Sequence, residues 1–140
     1  MTYLMPIRRI FELTAAVYGF GFGTWVWMGL MAAGSEPLAW AGLDRPAQIL
    51  VAMGLMAAGV VHGFGVWLNG DWRWSPMPRA AGMTVHCGFM AMLASGHSDP
   101  FSTAVYTYAF ISLLLFLGLL SAISDCRTAI RQGPGIWAKT

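Results

Sequence analysis

The sequence predicts an all-α fold, an integral membrane four-helix bundle with both termini on the cytoplasmic side (N-in/C-in). Three observations carry that expectation. Hydrophobic residues make up 57% of the 140 and charged residues only 10%, against about 25% charged in ordinary soluble domains. A soluble domain this small has too much surface for its volume to hide so much apolar area. Four apolar runs, at 13–33, 47–68, 80–95 and 101–124, are separated by polar stretches rich in glycine and proline. Finally, four spans put Arg8, Arg9, Arg73, Arg79, Arg127, Arg131 and Lys139 on one side and only Arg45 on the other. Basic residues concentrate on the cytoplasmic face of inner-membrane proteins, so the chain is expected in a bacterial inner (cytoplasmic) membrane, with residues 1–140 as a single transmembrane domain.

The first run, 13–33, has 21 residues and no charge, enough to cross a hydrocarbon core of about 30 Å. Basic residues ahead of it and AAGS behind it invite comparison with a secretory signal. The run is longer than a signal's apolar region and Glu12 stands at its mouth, so a retained span is expected. The connector GSEPLAWAGLDRP at 34–46 supplies Asp44 as a helix cap, with Pro46 in the first turn of the second span. Run 47–68 again lacks any charge. Asn69-Gly70 signals a turn, and Pro76 and Pro78 forbid a continuous helix, so the chain breaks there.

The third run, 80–95, is the shortest at 16 residues and holds Thr84, His86 and Cys87. Asp99 and Pro100 mark the start of the fourth, 101–124, which is centred on SLLLFLGLL. Trp67, Trp72, Trp74 and Trp137 fall near the cytoplasmic face, where amphipathic rings settle at headgroup level. Trp67, Trp72, Arg73, Trp74 and Arg79 are therefore expected as membrane-interface anchors.

Lipid removes the hydrophobic drive between helices, so small residues that let backbones approach must hold the bundle. Gly19 and Gly23 form one GxxxG pair and Gly59 and Gly63 another, both in the inner half of the bilayer and able to face each other. Thr14, Thr24, Ser112 and Ser121 lack an acid or base partner and are expected to bond back to their own helices. Cys87 and Cys126 make no disulfide framework.

Two imidazoles are the residues that could carry chemistry. His62 lies six residues before the second run ends and His86 six residues after the third begins. On antiparallel helices that is one depth, roughly 9 Å inside the cytoplasmic boundary. Facing imidazoles could ligate haem b from both sides, with Gly63, Gly82 and Gly88 giving a porphyrin room and Arg73 or Arg79 meeting its propionates. The plainer expectation is that each ring bonds a neighbouring helix or a water and holds the bundle, with a polar pore lining as a further alternative. On the outer side His97, Asp99, Asp44 and Glu36 could gather around a cation, although no ligand motif is present. Nothing has the pattern of a nucleophile with its base or a phosphate loop, so no enzymatic activity is expected. A net charge of +2 without a basic stripe makes nucleic acid no partner.

The string GVWLNGDWRWSPMPRAAGM at 65–83, RRIFEL at 8–13 and the closing DCRTAIR at 125–131 together resemble small four-span membrane proteins of tailed phages and prophages. The resemblance spans most of the chain. It implies an inner-membrane role near lysis or host takeover, and assigns no functional residue. The expectation is a non-enzymatic protein that self-associates in the lipid bilayer, holin-like and pore-forming. The alternatives are a haem-b electron-transfer subunit and an accessory subunit of a larger membrane complex.

Overall fold

A computed structural model describes residues 4–32, 35–68, 74–97 and 102–131. They form four α-helices, α1 (Leu4–Met31), α2 (Arg45–Trp67), α3 (Pro76–Ser95) and α4 (Thr103–Arg131), with one 3-10 turn at Ala39–Ala41 between α1 and α2. No strand occurs among the described residues. Helices α2 and α4 are each long and apolar enough to cross a membrane.

The helices overrun the apolar runs at their charged ends. α1 begins at Leu4 and takes in Arg9 and Glu12, while α4 continues through Asp125 and Arg127 to Arg131. Polar residues do not stop a helix, so the edge of an apolar run is not the edge of an element. α3 begins at Pro76, four residues ahead of its apolar run, with both prolines in its first turn. There a missing N–H costs nothing, because first-turn donors have no intrahelical acceptor. The break required by those prolines thus falls before them rather than around them.

Asp44 caps α2 as the sequence indicates, its carboxylate accepting from the Ala47 N–H at 2.9 Å, with Pro46 in the first turn. α4 starts beyond Pro100, and Ser102 Oγ accepts from the Val105 N–H at 3.3 Å. Asp99 and Pro100 lie outside the described residues, as do Trp72, Arg73 and Trp137.

The α1–α2 connector is organised by two side chains of α2. The buried Gln48 amide accepts from the Leu38 N–H at 3.0 Å and donates to the Leu43 carbonyl at 2.8 Å. Arg45 donates to the Leu30 carbonyl at 2.7 Å, satisfying an open acceptor in the last turn of α1. These bonds seat Leu38 in the core with Val26, Leu30, Leu55, Phe89 and Leu93.

α1 packs on α2, α2 on α3 and α3 on α4, whereas α1 and α4 barely touch. The bundle is therefore open along one seam. Glycines mark the closest approaches. A Cβ on Gly59 would lie 2.8 Å from the Ala16 carbonyl and the Phe20 nitrogen, and one on Gly23 would lie 2.7 Å from the Ala52 carbonyl. Both belong to the α1–α2 contact, at different heights. Gly19 turns instead to α3, and a Cβ on Gly63 would meet only Ala16 Cβ at an ordinary 3.8 Å. The two GxxxG pairs thus do not oppose each other as pairs; one glycine from each makes the tight contact.

Candidate functional site: an imidazole pair beside an internal ion pair

Three helices bring polar groups into an otherwise apolar interior. His62 of α2 and His86 of α3 are 0% and 2% exposed, and their ring centroids lie 5.8 Å apart at an interplanar angle of 44°. The equal-depth count from the sequence does bring the rings together. Glycines on neighbouring helices make space for them. A Cβ on Gly19 would overlap the His86 ring, with Cε1 only 2.5 Å away. One on Gly82 would overlap the His62 side chain and lie 2.9 Å from the Ala58 carbonyl. The His86 imidazole is a knob in a hole that only glycine leaves open, whereas Gly82 makes room for the Cα and Cβ of His62.

Among the described residues none of the four ring nitrogens has a hydrogen-bond partner. The Leu55 carbonyl approaches His86 without meeting hydrogen-bond geometry. An unmatched buried polar atom costs roughly 1–3 kcal/mol, so such groups are few in folded proteins and call for an explanation.

Toward the start of α1 and α3 lies the second polar feature. Arg79, 1% exposed, grips Glu12 with two bonds, from Nε and one terminal nitrogen, both 2.6 Å long. The same nitrogen reaches Asp125 of α4 at 3.3 Å. This is the planar fork-to-carboxylate geometry that suits arginine better than lysine. Gly65 gives the guanidinium stem its room, since a Cβ there would lie 2.9 Å from Arg79 Cγ. Arg79 is thus an internal tie between three helices rather than an interface anchor. Trp67 is 76% exposed, as an anchor would be, and Trp74 is partly buried.

The residues do not fit haem b. His86 Nε2 lies against the Gly19 backbone, leaving no place for an iron on that nitrogen. The space at Gly82 is filled by His62, and Gly88 faces away from every neighbour. Arg79, one of the two expected propionate partners, is committed to Glu12 and Asp125. Of the glycines that read as porphyrin clearance, Gly82 instead serves helix contact.

Among the described residues no three His, Cys, Asp or Glu side chains gather as metal ligands. His97 bonds the Leu93 carbonyl region at 3.2 Å and packs on Trp40 with centroids 4.3 Å apart, and Asp44 is occupied as a cap. Thr14 and Thr24 bond back to Ile10 and Phe20 of α1. Ser112 does not: its hydroxyl donates across to the Cys87 carbonyl at 3.2 Å, and the Cys87 thiol returns a bond to the Ser112 carbonyl at 3.4 Å.

Comparison of the chain with family models, characterised proteins and solved structures finds no match.

Proposed function

We propose that the chain is a four-span inner-membrane protein with both termini cytoplasmic, which acts by self-association in the bilayer, without catalysis. The observation that carries this reading is an inverted polarity. Arg79, Glu12, His62, His86 and Gln48 are buried. Large apolar side chains such as Leu50, Val60, Trp67, Phe110, Leu113 and Leu117 cover the outside. Water would reverse that arrangement, whereas lipid favours it, because intramembrane charges turn to the bundle interior and pair there. The positive-inside count supports the orientation.

Self-association draws support from α4, which is held on one flank only, and from the open seam between α1 and α4. A second copy, or lipid, can cover both. The phage-type resemblance of the hinge and the two chain ends adds the functional colour: a holin-like protein that perturbs the membrane by assembling in it.

Two measurements test the reading. In a background lacking Cys87 and Cys126, Glu36→Cys should react with an impermeant thiol reagent in intact cells, and Thr128→Cys should not; the reverse pattern inverts the topology. Controlled expression should collapse the membrane potential while the purified protein runs as an oligomer in detergent. A normal potential at high, correctly inserted expression would sink the pore reading and favour an accessory subunit of a larger complex.

A further inference from the structure

The seat of His86 is made for a neutral ring. The side chain is 2% exposed, and among the described residues neither ring nitrogen has a hydrogen-bond partner. Nε2 and the two carbons beside it press on the Gly19 backbone of α1, in the space a Cβ would fill. The helices packed around the ring offer little to a positive charge. α1 brings Glu12, both of whose oxygens already accept from Arg79, and the half-exposed Tyr18. α2 brings His62, whose nitrogens are unmatched too and whose ring centroid is 5.8 Å away. On α3 itself stand the cation Arg79, and Cys87, which turns to Ser112. On α4, Asp125 is engaged with Arg79, and Ile111, Leu114 and Leu115 along the neighbouring cavity are apolar.

Burying an unpaired charge costs far more than burying an unmatched dipole. An imidazole in water takes up a proton readily as pH falls. Seated and charged are therefore competing states of this side chain. The surroundings leave room for a change between them. A partly open cavity of about 190 Å³ lies between α1 and α4, with Gly19 and His86 in its wall. Direct contact between α1 and α3 is sparse, so the His86–Gly19 seat and the Glu12–Arg79 pair are two of the few ties between those helices.

We propose that His86 is an acid-operated latch: when the ring takes up a proton it leaves the Gly19 seat, and α1 parts from α3. The proton passes from solvent to a ring nitrogen, and no other bond forms or breaks. Water reaches the charged ring along the parted helices from the cytoplasmic boundary, roughly 9 Å away. Because the seated state holds the neutral ring, it prevails at neutral pH and is lost on acidification. A charge on one imidazole opposes a second charge on the other, so one proton per pair operates the latch. The latch is independent of whether the bundle permeabilises membranes; it needs only the packing of α1 on α3.

The test is a spin-label distance measured on the full chain in lipid nanodiscs. Cys87 and Cys126 are replaced by serine, and nitroxides are attached through Val17→Cys on α1 and Val85→Cys on α3, both exposed positions. As pH is lowered from neutral, the distance distribution should gain a longer component while helix content holds, and lose it again on neutralisation. His86→Gln should keep the packed distance over the same range. In a His97→Gln background the pair holds the chain's only imidazoles. There the nitrogen resonance of an imidazolium should appear over the same pH interval as the longer distance, and this measurement carries the test if His86→Gln fails to fold. An unchanged distance down to global unfolding would overturn the proposal. So would an identical response in His86→Gln, which would move the effect to the Glu12 and Asp125 carboxylates, or an imidazolium signal that arises without a change in distance.

Discussion

Of the two helices able to cross a membrane, α2 has 39% of its most apolar stretch buried within the bundle and α4 only 11%. Their apolar character does not account for the difference. What separates them is side-chain size. The buried face of α2 runs through Gln48, Ala52, Leu55, Ala58, Gly59, His62 and Gly65, at helical spacing and mostly small. The middle of α4 is leucine and phenylalanine, and only Leu115, Ala122 and Ala129 are buried. Where lipid is as apolar as leucine, close backbone approach decides which helix goes inside.

The contacts differ in kind as well as number. Gly59 of α2 faces rigid backbone atoms of α1, the Ala16 carbonyl and the Phe20 nitrogen. Gly118 of α4 faces the tip of Met83, whose Cε would be 2.8 Å from an added Cβ and can swing away. α2 is the axis of the molecule; α4 is attached to it through α3.

That contrast is broken most severely at the ion pair. Arg79→Met takes the bidentate guanidinium away from the buried Glu12, and the expected loss is about 3–5 kcal/mol of stability, read as denaturant-induced unfolding in detergent. Adding Glu12→Gln to it should recover a large part, because a neutral pair leaves no bare charge. If the double substitution is no better than the single one, the pair is not what holds α1 to α3.

A smaller effect is expected at the α1–α2 contact. Gly59→Ala must push two backbones apart and should cost about 1–3 kcal/mol, with native mass in detergent as a second readout. Gly63→Ala, four residues along the same helix, meets ordinary contact and should stay within about 0.5 kcal/mol of wild type. Equal costs at the two glycines would restore a symmetric GxxxG interface.

The smallest effect belongs to α4. Gly118→Ala should also remain within about 0.5 kcal/mol, since the methionine yields and alanine favours the helix. A loss as large as that at Gly59 would mean that α4 is as firmly embedded as α2, and the comparison would fail.

Much of this was legible in the residues. Run lengths locate four helices, Asp44-Arg45-Pro46 marks the start of α2, and counting from the ends puts His62 and His86 at one depth. The ion pair was legible too, though it takes a comparison across the chain. Glu12 and Arg79 each stand one residue ahead of an apolar run, 13–33 and 80–95, and opposite charges at equal depth on parallel helices invite pairing. A tally of basic residues per side obscures that, because it treats Arg79 as one more surface charge. Two things were out of reach. Gln48 reads as an ordinary polar residue in a first turn, and only the folded connector reveals its two backbone partners. Nor does glycine spacing tell which neighbour a glycine meets, because that depends on helix rotation: Gly19 was equally free to face α2 and instead receives an imidazole from α3.

The distance in sequence between Glu12 and Arg79, 67 residues, has a consequence for how the protein is made. A chain synthesised from its N-terminus delivers Glu12 long before the arginine that neutralises it. On the proposed topology that carboxylate sits at the cytoplasmic end of α1, where it can wait in the headgroup layer. Meanwhile Arg45 and Gln48 close the α1–α2 hairpin from the far side. On that topology the expected order of biogenesis is hairpin first and seating of α1 second, when α3 brings Arg79 to Glu12, and a truncated product ending before Arg79 is expected to leave its first helix incompletely seated.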